Sequence, residues 1–345
     1  MKTTINKNII RIFLLIGTLV SLYFVPLPIV KAWITPLPNT VQEQVNITLD
    51  YGFEGTIVYI EEKGKTPQLY AAGWKNRELK IPADPNALFK IASIGKLYTA
   101  VAITKLIAHG TLSKEGTIAT YFPELIGKIE NAHQITLRML VQHRSGIPSF
   151  TNTPNFWTNP PKNKTETLER IAGLPANFAP DTSFEYSNTN YLLLSMLVEK
   201  TVGYSEFQYI QEQILQPLGL ENTFKSIHEV VLNDVMSGYY VGVKEDIKTT
   251  DYGSMIATAA DVGAFIRALN DGTLFQHNER ALYASLYKFE HTGLIPGYQS
   301  IAKYHKDIDT VVVQFTNTTN FDGYEWSLFE IAYSRIVKII RKNRK

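Results

Sequence analysis

Two hairpin patterns stand at opposite ends of this chain. Gly55–Glu61 and Gln68–Trp74 are runs of β-forming residues around Lys63-Gly64-Lys65, and Tyr298–Tyr304 and Thr310–Asn317 repeat the pattern around Lys306-Asp307. Between them the pattern is helical. Residues 115–225 read mostly as helix, with loops at His143–Thr153 and Asn159–Lys164. Ser93–His109 and Thr258–Asn270 read as helices stopped by Gly110 and by Asp271-Gly272. Val41–Tyr51 is a short helix and Trp326–Arg341 an amphipathic one that closes the chain. Strand runs at both ends of a helical middle predict one antiparallel sheet assembled from both ends, flanked by helices, with a helical region inserted. The expected class is α/β plus all-α. The sheet region covers about 38–92 and 226–345 and the helical region about 93–225, in a single domain over 38–345.

Composition removes several functions. The chain has no cysteine, which excludes disulfides, thiolate catalysis and Cys-zinc sites. Its seven histidines form no H-x-x-x-H pair, so a zinc hydrolase is not expected, and no metal or organic cofactor is implied. The net charge of +2 comes from the N-terminus, where Lys2, Lys7, Arg11 and Lys31 occur with no acid in residues 1–32; the remainder has 30 basic against 32 acidic residues. No basic face argues for nucleic acid. Arg341–Lys345 is a small basic tail of the kind that is solvated or touches anionic polymer.

Residues 1–32 have the layout of an export segment. The positive flank is followed by an apolar run of 14 residues, Ile12–Val25, then Pro26 and Pro28, then Val30-Lys31-Ala32 before a possible cut at Trp33. The alternative is an uncleaved membrane tether, since residues 12–30 make 19 residues, just enough to span a bilayer. Either way the positive flank stays inside and the body lies outside the cytoplasm, whether periplasmic, secreted or anchored.

Three short pieces carry the chemistry. Ser-x-x-Lys occurs at Ser93/Lys96, Ser285/Lys288 and Ser300/Lys303, but only Ser93 opens a helix that is apolar nearly all round. There serine and lysine share a face, and a helix N-terminus offers N–H groups to an oxyanion. A lysine in a buried helix needs a task, and burial favours its neutral form. The alternative is that Ser93 is an N-cap and Lys96 reaches solvent. Tyr186-Ser187-Asn188, the only Tyr-x-Asn among 19 tyrosines, sits on a loop entering a helix. A tyrosine beside a lysine can take and return a proton, and Asn188 can offer its amide to a substrate carbonyl. His291-Thr292-Gly293 reads as an exposed edge strand, where glycine admits a substrate backbone and His291 and Thr292 can bind a carboxylate. The alternatives are a packed tyrosine, a turn asparagine and an ordinary surface histidine.

In this order the pieces resemble the serine β-lactamase-related family, which contains class C β-lactamases, D,D-carboxypeptidases, D-aminopeptidases and esterases. The resemblance spans about Gly55 to Asn317. It includes Leu88–Lys96, Leu140–Pro148, Phe178–Asn188, Pro217–Leu220, Met255–Asp261 and His291–Tyr298. It implies a β-lactamase/D,D-peptidase-like fold, Ser93 as nucleophile, Lys96 as its partner and Tyr186 as general base. It also implies Asn188, His291 and Thr292 as substrate ligands and the backbone N–H groups of Ser93 and Leu294 as oxyanion hole. The His143–Pro148 loop resembles a fold element. The implied function is an exported serine hydrolase, a D,D-carboxypeptidase, D-amino-acid peptidase or esterase acting on peptidoglycan stem peptides or esters. A class C-like β-lactamase, or a slow-turnover penicillin- or wall-binding protein, are the alternatives. Three departures stand out. His291 replaces the lysine usual before Thr-Gly. Asp181 stands where glycine is usual, in a turn that aspartate tolerates. Lys114-Glu115-Gly116 replaces an acidic stretch.

Overall fold

The computed structural model describes residues 7–23 and 25–344; Lys2, Phe24 and Lys345 lie outside the described residues. Helices α1 (Lys7–Tyr23), α2 (Leu27–Ile34) and α3 (Val41–Leu49) lead into strands β1 (Gly55–Glu62), β2 (Gln68–Asn76) and β3 (Ile81–Pro82). Helices α4 (Gly95–Ala108) and α5 (Asn188–Val202) belong to the inserted region, among shorter helical turns. The chain then forms α6 (Ala259–Asp271), α7 (Glu279–Leu286), the strands β4 (His291–Ile295), β5 (Tyr298–His305) and β6 (Thr310–Thr316), and α8 (Glu325–Lys342).

The two hairpins join as expected. The sheet order is β3-β2-β1-β6-β5-β4, and every neighbouring pair is antiparallel. The seam between the chain's ends is β1 against β6, with Thr56 opposite Thr316 and Glu62 opposite Thr310. Alternation along each strand serves two cores. Ile57 and Tyr59 on β1, with Val311, Val313 and Phe315 on β6, face α6, in a core that continues to α4 and α5. Val58, Ile60 and Val312 face α3 and α8. Because both faces are covered, Thr310–Thr316 is buried throughout, the polar Thr310, Gln314 and Thr316 included.

The ends of the helices follow local chemistry. Thr40 and Glu43 form a capping box on α3, and the Thr258 hydroxyl accepts from the Asp261 N–H at the start of α6. Gly203 and Gly272 end α5 and α6 in the left-handed conformation.

The N-terminal apolar run is divided. Pro26 separates α1 from α2 and Pro28 lies in the first turn of α2. No helix among the described residues is long and apolar enough to cross a membrane. The expected cut before Trp33 falls inside α2, where Ala32 is fully buried against α8.

Candidate active site

Ser93 is presented by a strained turn. Phe89–Lys90 pairs with Ile256–Ala257, and the chain then passes through Ala92 at φ 50° into a short 3-10 segment, Ala92–Ile94, and on into α4. A positive φ is costly for a residue with a Cβ. Here the Ala92 N–H is held by Ser254 Oγ at 2.9 Å and the Ile91 N–H by the Met255 carbonyl at 3.0 Å. Helix α4 is buried continuously from Leu97 to Leu106, so the turn rests on an immobile base. No side chain caps either helical segment, so Ser93 is not an N-cap.

The sequence motifs converge on one oxygen. Lys96 Nζ donates to Ser93 Oγ at 3.0 Å, and Tyr186 Oη lies 2.8 Å from the same atom. Lys96 is half-buried and does not extend to solvent; its ammonium also stands 5.2 Å from the centroid of the Tyr186 ring and 5.7 Å from that of Tyr191. Ser285 and Ser300 take no part: Ser285 Oγ bonds the Leu282 carbonyl and Ser300 Oγ bonds the Ile91 carbonyl.

Tyr186 is positioned by the two loops beneath it. His143, at φ 57°, packs tilted against the Tyr186 ring with centroids 4.4 Å apart and accepts the Ser187 N–H on Nδ1 at 3.2 Å. Burial, with the nearby charges of Lys96 and Lys288, pushes His143 down to about 3, so the ring stays neutral. The turn before Tyr186 passes through Asp181 at φ 64°, as its residue type allows. Its carboxylate accepts from Arg138 Nη2 at 2.9 Å and Arg144 Nε at 2.5 Å, and these bonds hold it down at about 2.

Among the substrate-side residues His291 departs from expectation. The Asn188 amide nitrogen is already bonded, to Thr151 Oγ1 at 3.0 Å and Ser149 Oγ at 3.3 Å. The Ser149 and Thr151 hydroxyls thus fix the Asn188 amide on the loop beside Tyr186. His291 is on the edge strand β4, but its side chain is buried, 3 % exposed. Its Nδ1 donates to the Thr292 carbonyl at 2.5 Å, and its Nε2 accepts from Tyr287 Oη at 2.9 Å. Burial, with Lys288 and Lys96 adding to it, pushes His291 well below its ordinary value. A charged His291 holding a carboxylate is therefore not what this site offers. Thr292 is half-buried and Leu294 exposed along the free edge.

Gly293 explains how the edge reaches Ser93. A Cβ there would stand 2.5 Å from the Ile91 carbonyl oxygen and 2.9 Å from Ala92 Cβ, so only glycine lets β4 press against the turn that carries Ser93. The sequence did not single out His143, Tyr287, Ser149 and Thr151 as members of this site. Each acts through a ring face or a hydroxyl brought from a distant loop, and no spacing pattern marks that. Among the described residues no group of His, Asp and Glu side chains could hold a metal ion.

The beta-lactamase family model matches residues 31–288. Protein flp of Staphylococcus aureus (strain MW2) is 26 % identical over 272 residues, covering 75 % of this chain and 53 % of the relative; the chain thus spans about half the length of the curated relatives it matches. Two solved structures share the fold. The D-amino acid amidase from Ochrobactrum anthropi SV3, in complex with L-phenylalanine amide, has a TM-score of 0.78 at 21 % identity, covering 88 % of this chain and 98 % of the amidase. The penicillin binding protein from Bacillus halodurans has a TM-score of 0.70 at 21 % identity, covering 85 % of this chain and 98 % of that one.

Proposed function

Since the chain belongs to the beta-lactamase family, we propose that it is an exported serine hydrolase that acylates itself on Ser93, with D-amino-acid peptides, amides or small esters as substrates. The observation that carries this reading is the double contact on Ser93 Oγ, from Lys96 at 3.0 Å and Tyr186 at 2.8 Å. A serine hydroxyl is a weak nucleophile until a neighbour takes its proton. In the proposed cycle Tyr186 reacts as a phenolate paired with the Lys96 cation, and takes the Ser93 proton to become the neutral phenol as Oγ forms its bond to the substrate carbonyl carbon. The carbonyl π electrons move onto oxygen, which the N–H groups of Ser93 and Leu294 stabilise. Collapse restores the carbonyl and breaks the bond to the leaving amine or alkoxide, which takes the proton from Tyr186. Water then repeats the sequence on the acyl-enzyme and frees Ser93.

One feature supports amides and esters over substrates chosen by a carboxylate. Buried His291 supplies no positive charge. The positive flank of Lys7 and Arg11 before an apolar stretch supports a catalytic body outside the cytoplasm. The test is mass spectrometry after a fluorophosphonate probe, with turnover measured on p-nitrophenyl acetate, a D-alanyl-D-alanine peptide and nitrocefin. The expected result is an adduct on Ser93 and sustained turnover of the ester or peptide. An adduct on Ser285 or Ser300 refutes the assignment, and an adduct on Ser93 without turnover makes the protein a slow penicillin- or wall-binding one.

A further inference from the structure

We propose that Asp181, Arg138 and Gln142 form a polar truss that fixes Tyr186 for the proton-donating half of its cycle, which makes them positioning residues for bonds whose leaving group needs that proton. The inference rests on the proposed role of Tyr186. Tyr186 Oη and Ser93 Oγ meet at 2.8 Å although they come from segments far apart in the chain. Ser93 leads into α4, which is buried, whereas Tyr186 stands on a loop outside any helix or strand. Its place is therefore set by what that loop is tied to.

The ties run in one line. Arg138 Nη2 donates to Asp181 Oδ2 at 2.9 Å, and its other terminal nitrogen donates to Gln142 Oε1 at 3.0 Å. Gln142 Nε2 donates to the Ser285 carbonyl at 2.9 Å. Ser285 lies in the last turn of α7, just before the segment that opens β4 at His291. Helix α7 packs on α4, the helix that carries Lys96. The line thus joins the Tyr186 loop, in the inserted region, to the frame that holds Ser93 and Lys96. Arg144 braces the same carboxylate. Its Nε donates to Asp181 Oδ1 at 2.5 Å, its Nη2 to the Asp181 carbonyl, and its own carbonyl accepts the Asp181 N–H at 2.8 Å. Beside Tyr186, the Glu185 N–H donates to the His143 carbonyl at 3.0 Å.

Stability does not call for a carboxylate at this place. Asp181 has φ 64°, a conformation that glycine would adopt with less strain. The side chains are partly exposed, at 27 % for Arg138, 36 % for Arg144 and 37 % for Asp181, and ion pairs so exposed add little stability. What the carboxylate adds is geometry. It draws two guanidinium groups, which would otherwise repel each other, onto two fixed oxygens. The chemistry makes that geometry matter unequally. Every substrate needs the Ser93 proton removed. Only a poor leaving group needs it returned: an amine cannot depart as an anion, whereas p-nitrophenoxide departs unprotonated. A loosened Tyr186 therefore costs an amide more than an activated ester.

The test is kcat/KM for the amide and the p-nitrophenyl ester of N-acetyl-D-alanine, measured on the wild type, Asp181→Gly, Gln142→Met and the double variant. The expected result is an amide-to-ester ratio about tenfold lower in each single variant, a part of the 10²–10⁴ that a general acid contributes. Because both changes cut one line, the double variant should be little worse than the worse single one. The melting temperature of Asp181→Gly should stay close to that of the wild type, and Gln142→Met decides the matter alone if Asp181→Gly does not fold. An unchanged ratio, an equal fall for amide and ester, or a fall in Asp181→Gly with Gln142→Met at the wild-type ratio would overturn the truss and leave the proposed function standing. A wild type that forms no adduct on Ser93 would overturn that function, and the truss with it.

Discussion

Lys96 and Tyr186 supply the two contacts on Ser93 Oγ, so removing either leaves the nucleophile with one. Lys96→Ala and Tyr186→Phe are each expected to lower kcat by about 10²–10⁴, the scale of a general acid–base group. Because both act on one proton, the double variant should be little worse than the worse single one. Steady-state kinetics on a neutral ester checks this, and fully additive losses would show two separate tasks. Gly293 allows a sharper test. A Cβ there meets the Ile91 carbonyl at 2.5 Å, so Gly293→Ala must push β4 away from the nucleophile turn and carry the Leu294 N–H with it. The expected loss is about 10²–10³ in kcat, the effect of losing one oxyanion donor. A fall in melting temperature without that loss would assign Gly293 to packing alone. Ser93, Lys96 and Tyr186 were legible in the sequence because each stands at a fixed place relative to a helix start; Gly293 was read as room for a substrate backbone, and the structure uses that room for the turn that carries Ser93. The chemistry of His291 was not legible, since it depends on burial and on Tyr287 and the Thr292 carbonyl occupying both ring nitrogens.

At the scale of elements, the helix that carries Lys96 is fastened to its neighbour by a buried ion pair. Lys105 of α4 bonds Glu279 of α7 at 3.0 Å, with both side chains about 5 % exposed, and also the Leu274 carbonyl at 3.3 Å. Removing one partner leaves a charge buried alone. Glu279→Gln is therefore expected to cost about 3–5 kcal/mol, and Lys105→Met/Glu279→Leu markedly less. Urea unfolding of the three proteins measures this; equal costs for the single and double variants would show that the pair itself supplies the stability. The boundaries of α3, α4, α6 and α8 follow from caps, glycines and periodicity, and the sequence places them within a residue or two. The long helical middle was harder to read. Between Ile118 and Leu218 the structure has many short turns joined by side-chain bonds, such as Asn163 on Glu166 and Glu130 on the Ala176 N–H. Those bonds reach across loops whose partners no local pattern names.

For the whole molecule, two neutral histidines sealed under the active site set an acid limit. His143 is held at about 3 and His291 well below its ordinary value, whereas in an unfolded chain each titrates near 6.5. Between about 6.5 and 3 the unfolded state therefore binds more protons, so stability rises with pH and is lost on acidification. Each ring contributes a slope of up to roughly 1.4 kcal/mol per pH unit. Urea unfolding at pH 7.5, 6 and 5 should show this fall, and His143→Phe should flatten it by about one proton. An unchanged slope would mean that His143 is protonated in the folded state. The sequence by itself determined the sheet drawn from both ends of the chain and the three motifs, because hydrophobic period, caps and turn residues are local properties. Only the tertiary structure decided that His291 is a buried neutral ring and that His143 lies beneath Tyr186. Burial and hydrogen-bond partnership belong to pairs of residues far apart in the chain, and those pairs exist only once β1 and β6 have met.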